Sequence, residues 1–202
     1  MICIRRAGPA DATAIGAVHV ATWRSSYAGV LPEAYLTGLS SLRHALGYER
    51  AIADRRHGHA VFVAVASGPD APGGRPGPEG GTIIGFVSGG HARRDWLAQG
   101  KLQGEVQGEV ETLYLLEDYR DRGIGRRLMR AMAAHLAAVG CRSAMLWVLR
   151  DNPTRWFYQR LGGRQAGREM IRFAGQAMEQ LAFVWDPIDT LLAATATAPE
   201  GS

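Results

Sequence analysis

The chain has 202 residues, 47% hydrophobic and 21% charged, which suits one globular domain with a full core and excludes a low-hydrophobicity disordered chain. Its net charge of +4 comes with no long basic run and no zinc-finger spacing, so no nucleic-acid partner is expected. No apolar run reaches membrane-spanning length and no signal peptide is visible. The two cysteines, Cys3 and Cys141, form no motif and read as reduced core residues, so the chain is expected in the cytoplasm and off the membrane.

Ile2 to Arg6 alternates as a first strand. Pro9-Ala10-Asp11 opens a helix to about Arg24, with Ile15, Val18 and Ala21 expected to face the core. On another stripe of this segment His19, Trp23 and Tyr27 recur at every fourth residue. Such a row is either core packing or the wall of a binding site. Gly29-Val30-Leu31-Pro32 breaks the helix, and Pro32 to Leu39 reads as a short second one. Ser40 is placed to cap a third, running to about Asp54 and ended by residues 55–58. Ala60 to Ala66 reads as a buried strand and Thr82 to Ser88 as the next, with Gly85 a candidate bulge. Residues 68–81 between them are almost all turn formers, predicted to be a mobile loop inside one domain and not a boundary. His91 to Gln107 is a polar connection holding Trp96, a candidate lid.

The most informative stretch is Gly108 to Gly125. Glu109, Glu111, Leu113 and Leu115 share one side of a strand at period two. The chain then turns through Glu117-Asp118-Tyr119 into Arg120-Asp121-Arg122-Gly123-Ile124-Gly125. An amphipathic helix follows, with Leu128, Met129, Met132, His135, Leu136 and Val139 at helical spacing and a stop at Gly140. The first amides of a helix lack internal partners and its dipole is positive there. Glycines admit a phosphate to that backbone, and Arg120, Arg122, Arg126 and Arg127 favour a polyanion. The pattern therefore points to a pyrophosphate. A dinucleotide fingerprint fits poorly, because Leu128 stands where the third glycine belongs. A P-loop is excluded, since the only lysine is Lys101.

Ser143 to Leu149 reads as a second buried strand, so strand, helix and strand form a crossover unit with two parallel neighbours. After it comes Asn152-Pro153-Thr154-Arg155-Trp156-Phe157-Tyr158-Gln159-Arg160-Leu161-Gly162-Gly163. Asn before Pro is by itself a common helix N-cap and N1 pair. Arg164 to Phe173 and Gln176 to Asp186 read as a final hairpin. Residues 1–186 are thus expected to form a single domain, and 187–202, small and polar, a disordered tail.

On these residues the chain resembles the GNAT (GCN5-related) N-acetyltransferase superfamily. Arg120-x-x-Gly123-x-Gly125 matches its acyl-CoA pyrophosphate motif, and Asn152 to Gly162 resembles its Asn-x-x-Ala-x-x-Phe-Tyr-x-x-Leu-Gly segment, with Arg155 in place of alanine. The resemblance is strong from Gly108 to Gly163 and weaker toward both ends. It implies an α/β fold: a mixed central sheet of about seven strands flanked by helices. It also implies acetyl transfer from acetyl-CoA to a primary amine of a small molecule, without a metal. Acyl-CoA would be held by Leu113, Tyr114 and Leu115 through their backbone, by Arg120, Asp121, Arg122, Gly123, Ile124, Gly125, Arg126 and Arg127 at the pyrophosphate, and by Asn152 at the pantetheine. Tyr158 is the implied general acid: a phenol of pKa about 10 is protonated at neutral pH and donates to a thiolate whose acid has a pKa of about 8.5. Glu109 and Glu111 are the candidate bases, with a solvated edge pair as the alternative; members of the superfamily draw the base from either position or use a water. His19, Trp23 and Tyr27 would border the acceptor. Val148 lacks the carboxylate that some protein N-terminal acetyltransferases place near there. The alternatives are a protein or peptide amine as acceptor, or a non-catalytic acyl-CoA-binding module, against which Tyr158 speaks. Dimers are common in the superfamily, so a homodimer is allowed, though no sequence feature demands one.

Overall fold

In the computed structural model, residues 1–54, 58–71, 81–92 and 106–196 are described. Their strands are β1 (Ile2–Arg6), β2 (Ala60–Ala66), β3 (Thr82–His91), β4 (Gly108–Leu115), β5 (Ala144–Leu149), β6 (Arg164–Phe173) and β7 (Gln176–Trp185). Their helices are α1 (Ala12–Ser26), α2 (Glu33–Thr37), α3 (Ser41–Ala53), α4 (Ile124–Ala138), α5 (Arg155–Arg160) and α6 (Asp189–Thr195). The strands form one sheet in the order β1-β2-β3-β4-β5-β7-β6. It is mixed: β1 with β2, β5 with β7 and β6 with β7 are antiparallel, whereas β4 and β5, joined through α4, are parallel. The α/β architecture with a seven-stranded mixed sheet and flanking helices is the one expected. The chain divides into two compact units, Met1–Ser88 with Thr112–Met132, and Gly89–Glu111 with Ala133–Ser202.

In the first unit β2 is apolar along nearly its whole length. Val61, Val63 and Val65 pack with Ile15 and Val18 of α1 and with Ile83 and Phe86 of β3. Burying each large side chain of this set contributes about 1.5–3 kcal/mol. The buried stripe of α1 is Ile15, Val18, His19 and Thr22. Ala21 is exposed, contrary to expectation, because a helix turning once per 3.6 residues carries position 21 off that stripe. Gly16 sets how α3 lies on α1: a Cβ there would stand 2.5 Å from the Ser41 carbonyl oxygen and 2.8 Å from the Ala45 nitrogen. Ser40 caps α3 as expected, its Oγ accepting from the Arg43 amide at 3.3 Å. Arg24 donates to the carbonyls of Leu36, Thr37 and Leu39, satisfying the otherwise orphan C-terminal end of α2.

In the second unit Val106, Met145, Ala182 and Val184 form a core cluster. The β6–β7 hairpin closes across Ala174-Gly175, both at positive φ, which matches the right-handed twist of the strands. Residues 187–202 were expected to be disordered, yet α6 occupies Asp189–Thr195. Seven residues are too few to hold a helix in water. It forms because Ile188 and Leu191 are buried, α6 lies against β7, and the Ile188 amide donates to the Arg142 carbonyl at 2.7 Å. Residues 197–202, most of the predicted loop (72–80), and most of the candidate lid, with Trp96 (93–105), lie outside the described residues.

Candidate functional site

The first unit carries the turn that leads from β4 into α4. Leu116 donates its amide to the Ile84 carbonyl at 2.9 Å, and a single 3₁₀ turn, Glu117–Tyr119, follows. Tyr119 anchors it: its ring is buried and its hydroxyl donates to the Asp70 carbonyl at 2.7 Å. Asp121 and Gly123 then adopt left-handed backbone, φ 59° and 72°. Gly123 opens α4, its carbonyl accepting from the Arg127 amide at 3.1 Å. Among the described residues nothing lies within 4 Å of where a Cβ of Gly123 would be, so they leave this face of the helix terminus open. The amides of Ile124, Gly125 and Arg126 occupy the first turn, where the helix supplies no acceptor.

The four arginines expected around the turn divide their tasks. Arg120 donates to Ser26 Oγ at 2.8 Å, and Arg127 donates to the Ile2 carbonyl at 3.0 Å. Arg122 lies over the Tyr119 ring, 5.3 Å from its centroid. Arg126 is half-buried within the first helical turn. Asp121 brings a carboxylate to an anion-friendly turn, so its contribution is the backbone bend and not its charge.

Beside this turn, β4 presents Leu113, Tyr114 and Leu115, all half-buried. Gly85 of β3 makes room for them: a Cβ there would meet the Tyr114 carbonyl oxygen at 2.8 Å. Gly85, a candidate bulge from sequence, therefore serves close approach of two backbones. The Tyr114 ring meets His19 at 4.9 Å, Phe86 at 5.5 Å and Trp23 at 6.3 Å between centroids. Trp23 in turn stands 5.0 Å from Tyr27 and 6.4 Å from Tyr35. So His19, Trp23 and Tyr27 come together with Tyr114. His19 and Tyr27 are buried, while Trp23, Tyr35 and Tyr114 are half-buried.

Sequence reasoning missed the partners from α3. His44 stacks on His19 with centroids 3.8 Å apart, and the Tyr48 hydroxyl is hydrogen-bonded to His19 Nδ1 at 2.8 Å. Burial first, and His44 second, push the His19 imidazole down to about 3. The available signal was the spacing of His44 and Tyr48, four residues apart on α3, which repeats that of His19 and Trp23 on α1.

The second unit carries the remaining candidates. Glu109 is buried and Glu111 exposed. Since β4 occupies the middle of the strand order, a solvated edge pair is not the right description of them. The β4–β5 ladder comprises Gly108 with Ala144 and Glu109 with Met145. Asn152 was expected at the N-cap of the following helix. Instead α5 begins at Arg155 with Thr154 at the cap position, and Asn152 Oδ1 accepts from the Thr154 amide at 2.9 Å, building an Asx turn one step earlier. Tyr158 is consequently the fourth residue of α5. It is buried, with Phe157, Phe183 and Trp185 around its ring at 5.4, 6.3 and 6.4 Å. A Cys–His contact that no motif announced joins Cys141 Sγ and His91 Nδ1 at 3.5 Å. Burial pushes the Cys141 thiol up, which keeps it protonated and unsuited to nucleophilic attack.

Among the described residues no helix is long and apolar enough to cross a membrane, and no group of three or more His, Cys, Asp or Glu side chains could hold a metal ion.

Residues 69–163 match the family model described as Acetyltransferase (GNAT) family. The Bacillus subtilis (strain 168) protein YuaI, an uncharacterized N-acetyltransferase, is 28% identical over 191 residues, which cover 95% of this chain and 96% of YuaI. The PaiA N-acetyltransferase of Thermoplasma acidophilum, solved in complex with coenzyme A, has a TM-score of 0.62 at 18% identity, covering 90% of this chain and 98% of that one. The Salmonella typhimurium protein YncA, solved with its cofactor acetyl-CoA, has a TM-score of 0.61 at 16% identity, covering 92% and 94%. Similarity at these identities speaks for the fold.

Proposed function

We propose that this chain, whose residues 69–163 match the GNAT acetyltransferase family model, transfers the acetyl group of acetyl-CoA directly to a primary amine of a small molecule in a ternary complex. The observation that carries this reading is the opening of α4. Gly123 takes a left-handed bend, leaves open space where a side chain would stand, and is followed by amides that the helix cannot satisfy. A pyrophosphate is the ligand such a terminus takes, and the helix dipole adds to the attraction.

In this reading the amides from Gly123 to Arg127, with Arg122 and Arg126, grip the pyrophosphate. Arg120 and Arg127, tied to Ser26 and Ile2, hold the turn in shape. The backbone of Leu113, Tyr114 and Leu115 hydrogen-bonds the pantetheine, and the Leu115 amide polarises the thioester carbonyl. The β4–β5 ladder ends before Leu113, which supports this assignment. Asn152 contributes at the pantetheine arm.

The reaction balances without a cofactor beyond the cosubstrate. The amine nitrogen attacks the thioester carbonyl carbon, and the carbonyl oxygen gains negative charge that backbone amides stabilise. Glu109, Glu111 or a water held by them takes the amine proton. The C–S bond breaks, and Tyr158 donates its phenolic proton to the departing thiolate. The products are an amide and free CoA. Holding both substrates side by side removes most of the entropic cost of a bimolecular step.

Calorimetric titration with CoA, followed by thiol release from acetyl-CoA with a panel of amines, tests the proposal. Heat on titration and saturable, amine-dependent thiol release are expected. No heat overturns it. Binding without turnover on any amine would favour an acyl-CoA-binding module.

A further inference from the structure

Resting on that reading, we propose that the rings gathered around Tyr114 form the acceptor wall, and that this wall selects a monoamine carried on a flat aromatic body over a polycationic amine.

Three observations carry it, all within the first unit. The wall starts on the segment assigned to the thioester: the Tyr114 ring touches His19 and Trp23. It continues through Trp23 to Tyr27 and Tyr35, so aromatic surface runs without interruption from β4 across α1 to α2. Trp23, Tyr35 and Tyr114 are half-buried, with Phe86 and Tyr27 buried among them, so the outer rings keep part of their surface for a ligand. Aromatic rings favour another ring in offset or edge-to-face contact.

The wall is also uncharged at neutral pH. His19 is held neutral by burial, with its Nδ1 bonded to the Tyr48 hydroxyl, and burial lowers His44 as well. Burial raises the Tyr35 phenol. Arg24, the cation of α1 nearest in sequence to Trp23, is engaged by the carbonyls of Leu36, Thr37 and Leu39. Glu33 of α2 and Glu49 of α3 are exposed and take part in none of the ring contacts. A second or third ammonium of a polyamine would be desolvated here against rings that offer no carboxylate to receive it, a costly arrangement. A single amine on an aromatic ring leaves water with its body against π faces, and its nitrogen is the group to be acetylated.

The test uses the full chain and acetyl-CoA, with 2-phenylethylamine and tryptamine set against spermidine and n-hexylamine. Specificity, kcat/KM, should favour the aromatic amines over both by about fivefold or more, one ring contact being worth roughly 1 kcal/mol. Trp23→Leu should raise KM for 2-phenylethylamine about fivefold, and by a larger factor than it raises that for n-hexylamine, with CoA binding heat retained. Tyr35→Leu, on the short α2, gives the same readout should the Trp23 variant fail to fold. Binding of 2-phenylethylamine to the CoA-loaded protein, read by tryptophan fluorescence, should also weaken in either variant. Preference for spermidine, equal loss on all amines in both variants, or no binding of 2-phenylethylamine to the CoA complex overturns the wall while leaving acetyl transfer standing. Absence of CoA binding heat instead overturns the transferase reading on which the wall depends.

Discussion

The imidazoles of His19 and His44 lie face to face, ring centroids 3.8 Å apart and planes 26° from parallel, on two helices that Gly16 lets approach closely. His19 is lowered to about 3, by burial and then by His44; His44 is lowered by burial and then by Arg43. Both therefore take up a proton less readily in the folded protein than in the unfolded chain, which does so near the ordinary value of about 6.5. Folding stability from His19 is complete above that value and declines as pH falls toward 3, and the lowered His44 adds to the decline in the same direction. At pH 4 the loss through His19 is on the order of 3 kcal/mol. Urea unfolding midpoints measured from pH 7 to pH 4 should fall, and His19→Phe should flatten the decline. Midpoints independent of pH would mean that no buried neutral imidazole contributes.

Gly123 separates conformational cost from ligand access. Its φ of 72° costs any other residue about 1–2 kcal/mol, although none of the described residues lies within 4 Å to clash with a Cβ. Gly123→Ala should show that loss in thermal unfolding with a modest fall in CoA affinity. Gly123→Val, which also covers the amides opening α4, should abolish CoA binding heat. Equal CoA affinity in the two variants and the parent would remove the pyrophosphate from this turn.

Gly85→Ala acts from the neighbouring strand. The new Cβ would stand 2.6 Å from Leu115 Cδ1 and 2.8 Å from the Tyr114 carbonyl oxygen; the side chain end can move, the carbonyl cannot without shifting β4. Overpacking of this kind costs about 1–3 kcal/mol. Stability and acyl-CoA affinity should fall together, measured by urea unfolding and calorimetry. A stable variant with parental affinity would show that Leu113 to Leu115 do not hold the pantetheine.

Tyr158 has a packing role and a proposed chemical one, and two substitutions divide them. Tyr158→Phe keeps the ring beside Phe183 and Trp185 and removes the hydroxyl. Turnover should drop by about 10²-fold or more with CoA affinity retained. Tyr158→Ala should in addition cost about 3–5 kcal/mol of stability by emptying a buried site. Parental turnover in Tyr158→Phe would leave the residue with packing alone.

Glu109 and Glu111 differ in burial, which makes their Gln variants informative as a pair. Glu109→Gln and Glu111→Gln should each be measured for turnover across pH and for CoA binding. The residue that acts as base loses about 10²-fold or more in kcat and its rising pH limb, with CoA affinity unchanged. Unchanged rates in both variants assign the proton to neither carboxylate.

What was legible from sequence was local. The strand, turn and helix from Gly108 to Ala138, the buried β2 and β5, the Ser40 cap and the β6–β7 hairpin depend on spacing and turn chemistry within a few residues, and the chain forms each of them. The glycine turn was readable for the same reason, because left-handed backbone next to a helix start is written in adjacent residues. Tertiary packing decided the rest. α6 forms from a small-residue segment only because Leu191 is buried beside β7. Asn152 and Pro153 suited a helix cap, but the Asx turn took Asn152 Oδ1 and moved the helix start to Arg155. His91 meets Cys141 fifty residues away, and His44 and Tyr48 reach His19 across two helices. Periodicity states which face of a helix is apolar. Which faces then meet is set by the close approach that Gly16 permits and by burial summed over the whole core.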